Sequence, residues 1–367
     1  MQLFGAVLLA KMFKASLVEP EWADWDWDAS ESQKPSTFET LYNLSHFSNE
    51  IKKVFNVDVV TRDKVSALTK KKRIGINRIF NFDSRQCWDV WLSYERNAFK
   101  RKKVDEFLLG FLDSFKLTEG NQRLVNTILE TIGRDASGNQ WHAIHMRTEK
   151  DWFKHSQYMR SRINLKEEEE AYVSPVIIRD KFYATFGPAS SNQLPHVVFI
   201  ACDEKAQQEN PFDIWRTDTR LFHKKDIVEL SGCDNKIRSA VDFEICVESP
   251  KLIGTSRSSF LRLAALTRFA RKQRIASIVA DETKEELALS TYIYNLKSPQ
   301  LIKRTDNGFY RAALQSIHEK VSVGKGGQES LIRDLFWHVK IKALQHFCNG
   351  FVRWGARKCG VIGKNRF

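Results

Sequence analysis

Two short clusters in this chain carry side chains suited to a polyanion. One is HMRTEKDW at His145 to Trp152, which follows the apolar run Trp141 to Ile144; the other is GTSRSSF at Gly254 to Phe260, which follows Lys251 to Ile253. An arginine just past a strand end presents a planar fork to a diphosphate and offsets charge on a leaving group. Arg147 has that position, and His145, two residues earlier, lies on the same side of an extended strand. In the second cluster Gly254 allows a tight turn. Thr255, Ser256, Ser258 and Ser259 supply hydroxyls, and a helix start supplies amides that favour phosphate. The chemistry these parts suit is metal-independent group transfer from a nucleotide-activated donor, with Arg147 and helix amides meeting the charge that develops on the departing diphosphate.

Plainer readings use the same residues. Ser258 or Ser259 is an ordinary helix N-cap, Arg147, Glu149 and Asp151 form surface ion pairs, His145 is a satisfied strand-end histidine, and Arg257 faces solvent. Neither cluster contains a DxD-like pair, and no His/Asp/Glu grouping suggests a catalytic metal.

The elements that must position the clusters alternate in the second half of the chain. Strands are expected at Trp141 to Met146, Val176 to Ile178 after Pro175, Val197 to Cys202, near Ile227 and at Lys251 to Ile253. Helices are expected at Ile237 to Val247 and Ser258 to Lys272. Strands separated by helices predict a parallel, Rossmann-like sheet, with ligands beyond the carboxyl ends of its strands. In the first half, Leu8, Leu9, Met12 and Phe13 recur at helical spacing before a strand-like Ala15 to Val18. Helical patterns follow at Phe38 to Val54 and Val104 to Ile132. The loop from Ala23 to Thr37 is aromatic and acidic, and its Asp, Ser and Pro content opposes regular structure.

A chain of 367 residues exceeds the usual single core, so two domains with a cleft between them are expected. The linker candidate GRDASGNQ, Gly133 to Gln140, sets the boundary. The division is an N-terminal domain over 1–138, a second domain over 139–300 that carries both clusters, and a basic helical extension over 301–367. With 42% apolar and 12% aromatic residues the chain can bury real cores. Its net charge of +13 fits a polyanionic partner, but residues 301–367 hold thirteen basic and four acidic residues and so account for +9 of it. A helical stripe at Leu331 to Val352 packs on the enzyme, lies on a membrane surface or binds a partner; no nucleic-acid motif accompanies the charge. The six cysteines are spread singly, which opposes a structural zinc site, and Cys202 and Cys246 read as buried apolar residues. MQLFGAVLLAKMF lacks the basic start and the cleavage site of a signal peptide and reads as part of a folded αβ unit. No apolar run reaches the roughly eighteen residues of a membrane span.

Three blocks resemble the GDP-fucose protein O-fucosyltransferase family, especially the type that acts on EGF-like repeats. They are GAVLLAKMFKASLVEPEW (Gly5 to Trp22), AIHMRTEKDW (Ala143 to Trp152) and AVDFEICVESPKLIGTSRSSF (Ala240 to Phe260), with VVFIACDE (Val197 to Glu204) in order between the last two. The resemblance covers roughly residues 1–275 and implies a GT-B-like α/β fold of two Rossmann-like domains facing a central cleft. It implies an inverting, metal-independent transfer of fucose from GDP-fucose to a Ser or Thr hydroxyl of a folded protein acceptor, in the lumen of the endoplasmic reticulum or Golgi. It makes Arg147 the catalytic arginine on the β-phosphate, and His145, Asp242, Ser258, Ser259 and Phe260 donor-binding residues, with Asp242 on the base. No general base is assigned and no cofactor or metal is expected. The family's asparagine-bearing glycine-rich turn and its secretory leader precede the block at Gly5, and neither occurs in this sequence. The expectation is a truncated reading frame, the alternative an inactive or weak relative that binds sugar nucleotide or protein without catalysis.

Overall fold

The computed structural model describes residues 2–22, 36–65, 79–81, 106–136, 141–149, 152–154, 156–157, 172–188, 195–202, 215, 219–224, 227–255, 258–278, 290–305 and 360–363. The protein is of the α/β class, and it divides into two compact units: residues 1–118 with 314–367, and residues 119–313.

In the first unit helix α1 (Gln2–Met12) leads through Lys14, which takes a left-handed φ of 51°, into the fully buried strand β1 (Ala15–Val18). Short strands β2 (Glu21–Trp22) and β3 (Ser36–Thr37) pair antiparallel. Helix α2 (Leu44–Phe55) starts where Asn43 Oδ1 accepts from the His46 amide at 2.8 Å. It ends where Asn56 adopts φ 55°, a left-handed cap that asparagine tolerates. The chain then enters β4 (Val59–Val60), parallel to β1 with Leu17 opposite Val59. Strands β5 (Ile79–Asn81) and β12 (Gly360–Gly363) complete the order β4-β1-β12-β5, with β12 antiparallel to both its neighbours. An aromatic core forms as Phe4 meets Phe55 of α2 and Phe111 of helix α3 (Glu106–Asp113), while Phe38 packs on Phe47 at 4.6 Å.

The second unit opens with helix α4 (Glu119–Ala136) and strand β6 (His142–His145), followed by helix α5 (Pro175–Phe186), β7 (His196–Ala201) and β8 (Thr219–His223). Helix α6 (Asn235–Glu248), β9 (Lys251–Gly254), helix α7 (Ser259–Ile278), β10 (Ser290–Ile293) and β11 (Ile302–Thr305) complete it. The sheet order is β11-β10-β9-β6-β7-β8, parallel throughout except for the β10–β11 pair. From β6 the chain adds β7 and β8 on one side, then returns to add β9 and β10 on the other. The order therefore reverses between β6 and β9, where an open α/β sheet leaves a crevice at its carboxyl end. Ile144, Val198 and Ile200 bury one face of the sheet against Ile178 and Phe182 of α5. On the other side α6 packs on β6 and β7, and α4 and α7 pack on α6.

Several local expectations differ from the structure. The segment after Pro175 is helix, not strand: Ser174 Oγ accepts from the Ile177 amide, proline sits in the first turn, and Ile178 and Phe182 are buried one helical turn apart. The strand expected near Ile227 lies earlier, at β8, and Val228–Leu230 form a 3-10 turn. The single helix expected over 104–132 is two, because the Ser114 hydroxyl bonds to the Phe111 carbonyl at 2.6 Å and the chain then bridges Leu117 to Tyr42. Helix α4, placed before the domain boundary by the sequence, groups with the second unit. Of the 301–367 span, Ile302–Thr305 joins the second sheet and Gly360–Gly363 the first, and the stripe at Leu331 to Val352 lies outside the described residues. Of the loop expected over Ala23 to Thr37, residues 23–35 lie outside them too, while Ser36–Thr37 form β3 instead of irregular chain, paired to β2.

The corner from α6 through β9 to α7 is held by Arg268, which is 1% exposed. Its Nη1 donates to the carbonyls of Cys246 (3.1 Å), Val247 (3.4 Å) and Ser249 and to Ser249 Oγ (3.0 Å), and its Nη2 to the Pro250 carbonyl at 3.4 Å. Cys246, Val247 and Ser249 lie at the end of α6, where carbonyls lack helical partners and a cation is favoured by the helix dipole. Arg268→Met keeps the apolar stem and takes this donor from the Val247 and Ser249 carbonyls, while Cys246 keeps the Ser249 hydroxyl and Pro250 the Ser290 amide. A loss of roughly 3 kcal/mol or more is expected, read as a lower urea midpoint for the second unit; an unchanged midpoint would show that water replaces the guanidinium.

Candidate functional site

The site is built at the reversal of strand order. His145 is the last residue of β6, and Met146 extends the pairing by donating to the Ala201 carbonyl of β7 at 2.9 Å. Arg147 follows, its side chain 30% exposed, with Nε 3.4 Å from Glu149 Oε2 and the guanidinium 4.6 Å from the Trp152 ring centroid. The pair is made through Nε, so the planar fork of the two η nitrogens is the part suited to phosphate oxygens.

Across the reversal, β9 ends at Gly254. A Cβ there would lie 2.7 Å from Leu261 Cδ1, so the glycine is required by the close approach of the α7 side chain. The Ser258 amide donates to the Thr255 carbonyl at 3.0 Å, closing the turn, and Ser258 Oγ accepts from the Leu261 amide at 3.4 Å. Ser258 is thus the buried N-cap of α7, Ser259 is exposed at its first position, and Ser256 and Arg257 lie outside the described residues. Phe260 joins the two turns: its ring stacks on His145 with centroids 4.3 Å apart and 12° between planes, and it meets Phe243 of α6 edge-on at 5.4 Å.

Asp242, one residue before Phe243, is buried in α6, and its Oδ2 lies 2.9 Å from Lys224 Nζ just past β8. His145 is held neutral: burial first, then the charges of Arg147 and Lys224, lower its pKa from 6.5 to about 3. A neutral imidazole flanked by an ammonium and a guanidinium at the carboxyl end of a parallel sheet suits an anionic ligand.

All six residues singled out from the sequence lie in the second unit, and direct contact joins His145 to Phe260. Three contributors were missed. Tyr294, after β10, donates from its hydroxyl to the His145 carbonyl at 3.0 Å and accepts from the Arg147 amide at 3.3 Å. Lys224 pairs with Asp242, and Phe243 supports Phe260. The run TYIY at Thr291 to Tyr294 reads as an apolar strand, which gives no hint of a bridging hydroxyl. The lysine pair at 224–225 resembles solvated charge. Among the described residues no three His, Cys, Asp or Glu side chains group as they would around a metal ion, and no helix is long and apolar enough to cross a membrane.

A mostly parallel sheet with a reversal of strand order, and a helix start and an arginine at that reversal, is the arrangement in which open α/β proteins hold their ligands. The chain belongs to the GDP-fucose protein O-fucosyltransferase family, whose model matches residues 1–269. It is 27% identical over 186 residues to O-fucosyltransferase 23 of Arabidopsis thaliana, a match that covers 48% of this chain and 40% of that relative's length. It is also similar to solved structures of POFUT1. In complex with GDP, POFUT1 matches at TM-score 0.44 and 12% identity over 73% of this chain and 91% of that one. In complex with GDP-fucose the values are 0.42 and 13%, over 73% and 89%.

His142, on the opposite face of β6 and packed against Phe182 and Phe186, is likewise neutral, with burial the chief cause and a pKa of about 3. For His142 and His145 the folded pKa lies below the unfolded 6.5, so unfolding takes up protons between pH 6.5 and about 3. Their stabilising contribution is complete above the upper value and is lost as pH falls through that window. Denaturant unfolding across pH 7.5 to 4.5 should show this decline. His142→Phe should reduce the proton uptake near pH 5 by about one, and an unchanged pH slope would contradict a neutral buried His142.

Proposed function

We propose that the protein transfers fucose from GDP-fucose to a Ser or Thr hydroxyl of a protein acceptor, with inversion at the sugar carbon and without a metal ion. The observation that carries this reading is the meeting of the His145–Arg147 turn and the α7 start at the strand-order reversal of the second sheet, in a chain of this family. The acceptor oxygen forms a bond to fucose C1 as the bond from C1 to the β-phosphate oxygen breaks. The hydroxyl proton passes to solvent water, and the charge left on GDP is met by Arg147, as the catalytic residue, and by the amides of the α7 start. His145 and Phe260 hold the nucleotide, Asp242 takes the base, and Ser258 and Ser259 lie at the diphosphate. With the donor in the second unit, the first unit serves the acceptor in a GT-B-like pair of α/β domains. The family resemblance supports a reaction in the lumen of the endoplasmic reticulum or Golgi.

Purified protein incubated with GDP-fucose should bind the donor and release fucose slowly, and transfer it when small disulfide-rich acceptor domains are added; a chelator should change neither rate. Arg147→Ala should weaken donor binding roughly 10- to 150-fold, the loss of one charge-assisted contact, and reduce turnover further because the guanidinium acts on the leaving group. No donor binding by the unmodified protein would overturn the reading. Binding with neither hydrolysis nor transfer would leave a sugar-nucleotide-binding protein.

A further inference from the structure

We infer that Tyr294 is a positioning residue for Arg147, and that its hydroxyl sets the register of the catalytic turn by replacing a rung of the sheet that β9 cannot supply. The inference rests on the role given to Arg147 above.

The register of β6 and β9 explains why a rung is needed. Ile144 lies opposite Ile253, and beyond that pair the chain after β9 leaves the sheet for the start of α7. On its other side β6 keeps its neighbour for two more residues, since His145 pairs with Ala201 and the Met146 amide donates to the Ala201 carbonyl. The next amide, that of Arg147, would be left over the crevice by the divergence of β9. Tyr294 reaches that place from one strand further out. Its backbone amide donates to the Gly254 carbonyl at 3.0 Å, so its origin is fixed to the last residue of β9. Its hydroxyl accepts from the Arg147 amide at 3.3 Å and donates to the His145 carbonyl at 3.0 Å.

One side chain therefore measures the gap between the two phosphate-facing turns. The measure is rigid, because Tyr294 is 1% exposed and belongs to the apolar cluster with Ile144, Met146, Cys202 and Ile253. The far end of Arg147 is held separately, by Glu149 and the Trp152 ring. With the backbone fixed by Tyr294 and the side chain by those two, the guanidinium has few other places to be, which is the condition for acting on a leaving group.

Tyr294→Phe removes one oxygen and leaves the packing. Donor turnover by this variant should fall about ten- to a hundredfold in kcat, with KM for GDP-fucose changed less than kcat. In an Arg147→Lys background the same change should cost less than about twofold in rate, while the drop in melting temperature should be alike in both backgrounds, since non-additivity isolates the coupling. Equal rate losses in both backgrounds, or no loss in the first, would overturn the inference and leave Tyr294 a core residue. Amide exchange in the unmodified protein decides independently of activity. The Arg147 amide should be protected, and in Tyr294→Phe that protection should disappear. An unprotected Arg147 amide in the unmodified protein overturns the inference even if the protein turns over GDP-fucose, whereas a protected amide with no donor binding overturns only the proposed function.

Discussion

The guanidinium of Arg268 fixes the frame on which the second unit's site is hung. It sits where three consecutive elements meet, and its hydrogen bonds run to the end of α6 and the turn into β9 while its own backbone belongs to α7. Each of those elements carries part of the site: α6 has Asp242 and Phe243, β9 ends at Gly254, and α7 begins after Ser258 with Phe260 in its first turn. A shift of α7 along the sheet would break the Arg268 contacts and the Gly254–Leu261 approach together. Arg271, one turn from its neighbour on α7, pairs with Glu244 at 2.8 Å and Glu248 at 2.6 Å and ties the same two helices nearer the surface. Solvent screens the contact with the exposed Glu248, whereas Glu244 is buried and holds Arg271 more firmly.

Within this frame the charges are arranged so that the histidine does not compete for them. Burial with Arg147 and Lys224 nearby removes the proton from His145, which then offers one donor and one acceptor nitrogen and a flat face, the face stacked on Phe260. Any attraction for a diphosphate therefore comes from guanidinium, ammonium and helix amides. The Lys224 ammonium is partly neutralised by Asp242 at 2.9 Å, and the Arg147 guanidinium less completely by Glu149 at 3.4 Å on a more exposed side chain. Of the two cations, Arg147 is the one left to reach outward, in keeping with its place on a turn and not inside an element.

The turns were legible in the sequence because their signals are local. A glycine and serines between a short apolar run and a helical pattern mark the turn after β9, and an arginine two residues past a histidine at a strand end marks the turn after β6. The strands β6, β7 and β9 were equally legible, each a compact apolar run bounded by polar residues. What was not legible depends on sequence-distant partners. Tyr294 acts across 147 residues of chain separation, Lys224 is meaningful only beside Asp242, and Arg268 looks like one more surface cation of a basic helix until its carbonyl partners are seen. The strand expected at Val176 to Ile178 failed for a local reason: Ser174 and Pro175 are a helix-start signature that outweighs the apolar run after them.

The two readings of the serines at Ser258 and Ser259 turn out to be compatible, and the geometry says how. As N-cap, Ser258 spends its hydroxyl on the Leu261 amide, the third residue of α7. The cap leaves the amides of the first two helical residues, Ser259 and Phe260, which have no partner within the helix. Those two amides are the donors a phosphate at the helix start can take. The capping hydroxyl would serve such a phosphate only indirectly, by holding the first turn in helical geometry. Phe260 then has two jobs in one residue, an amide directed out of the helix and a ring folded back on His145. The stacking that joins the two turns thereby also sets the direction in which an anion would be received.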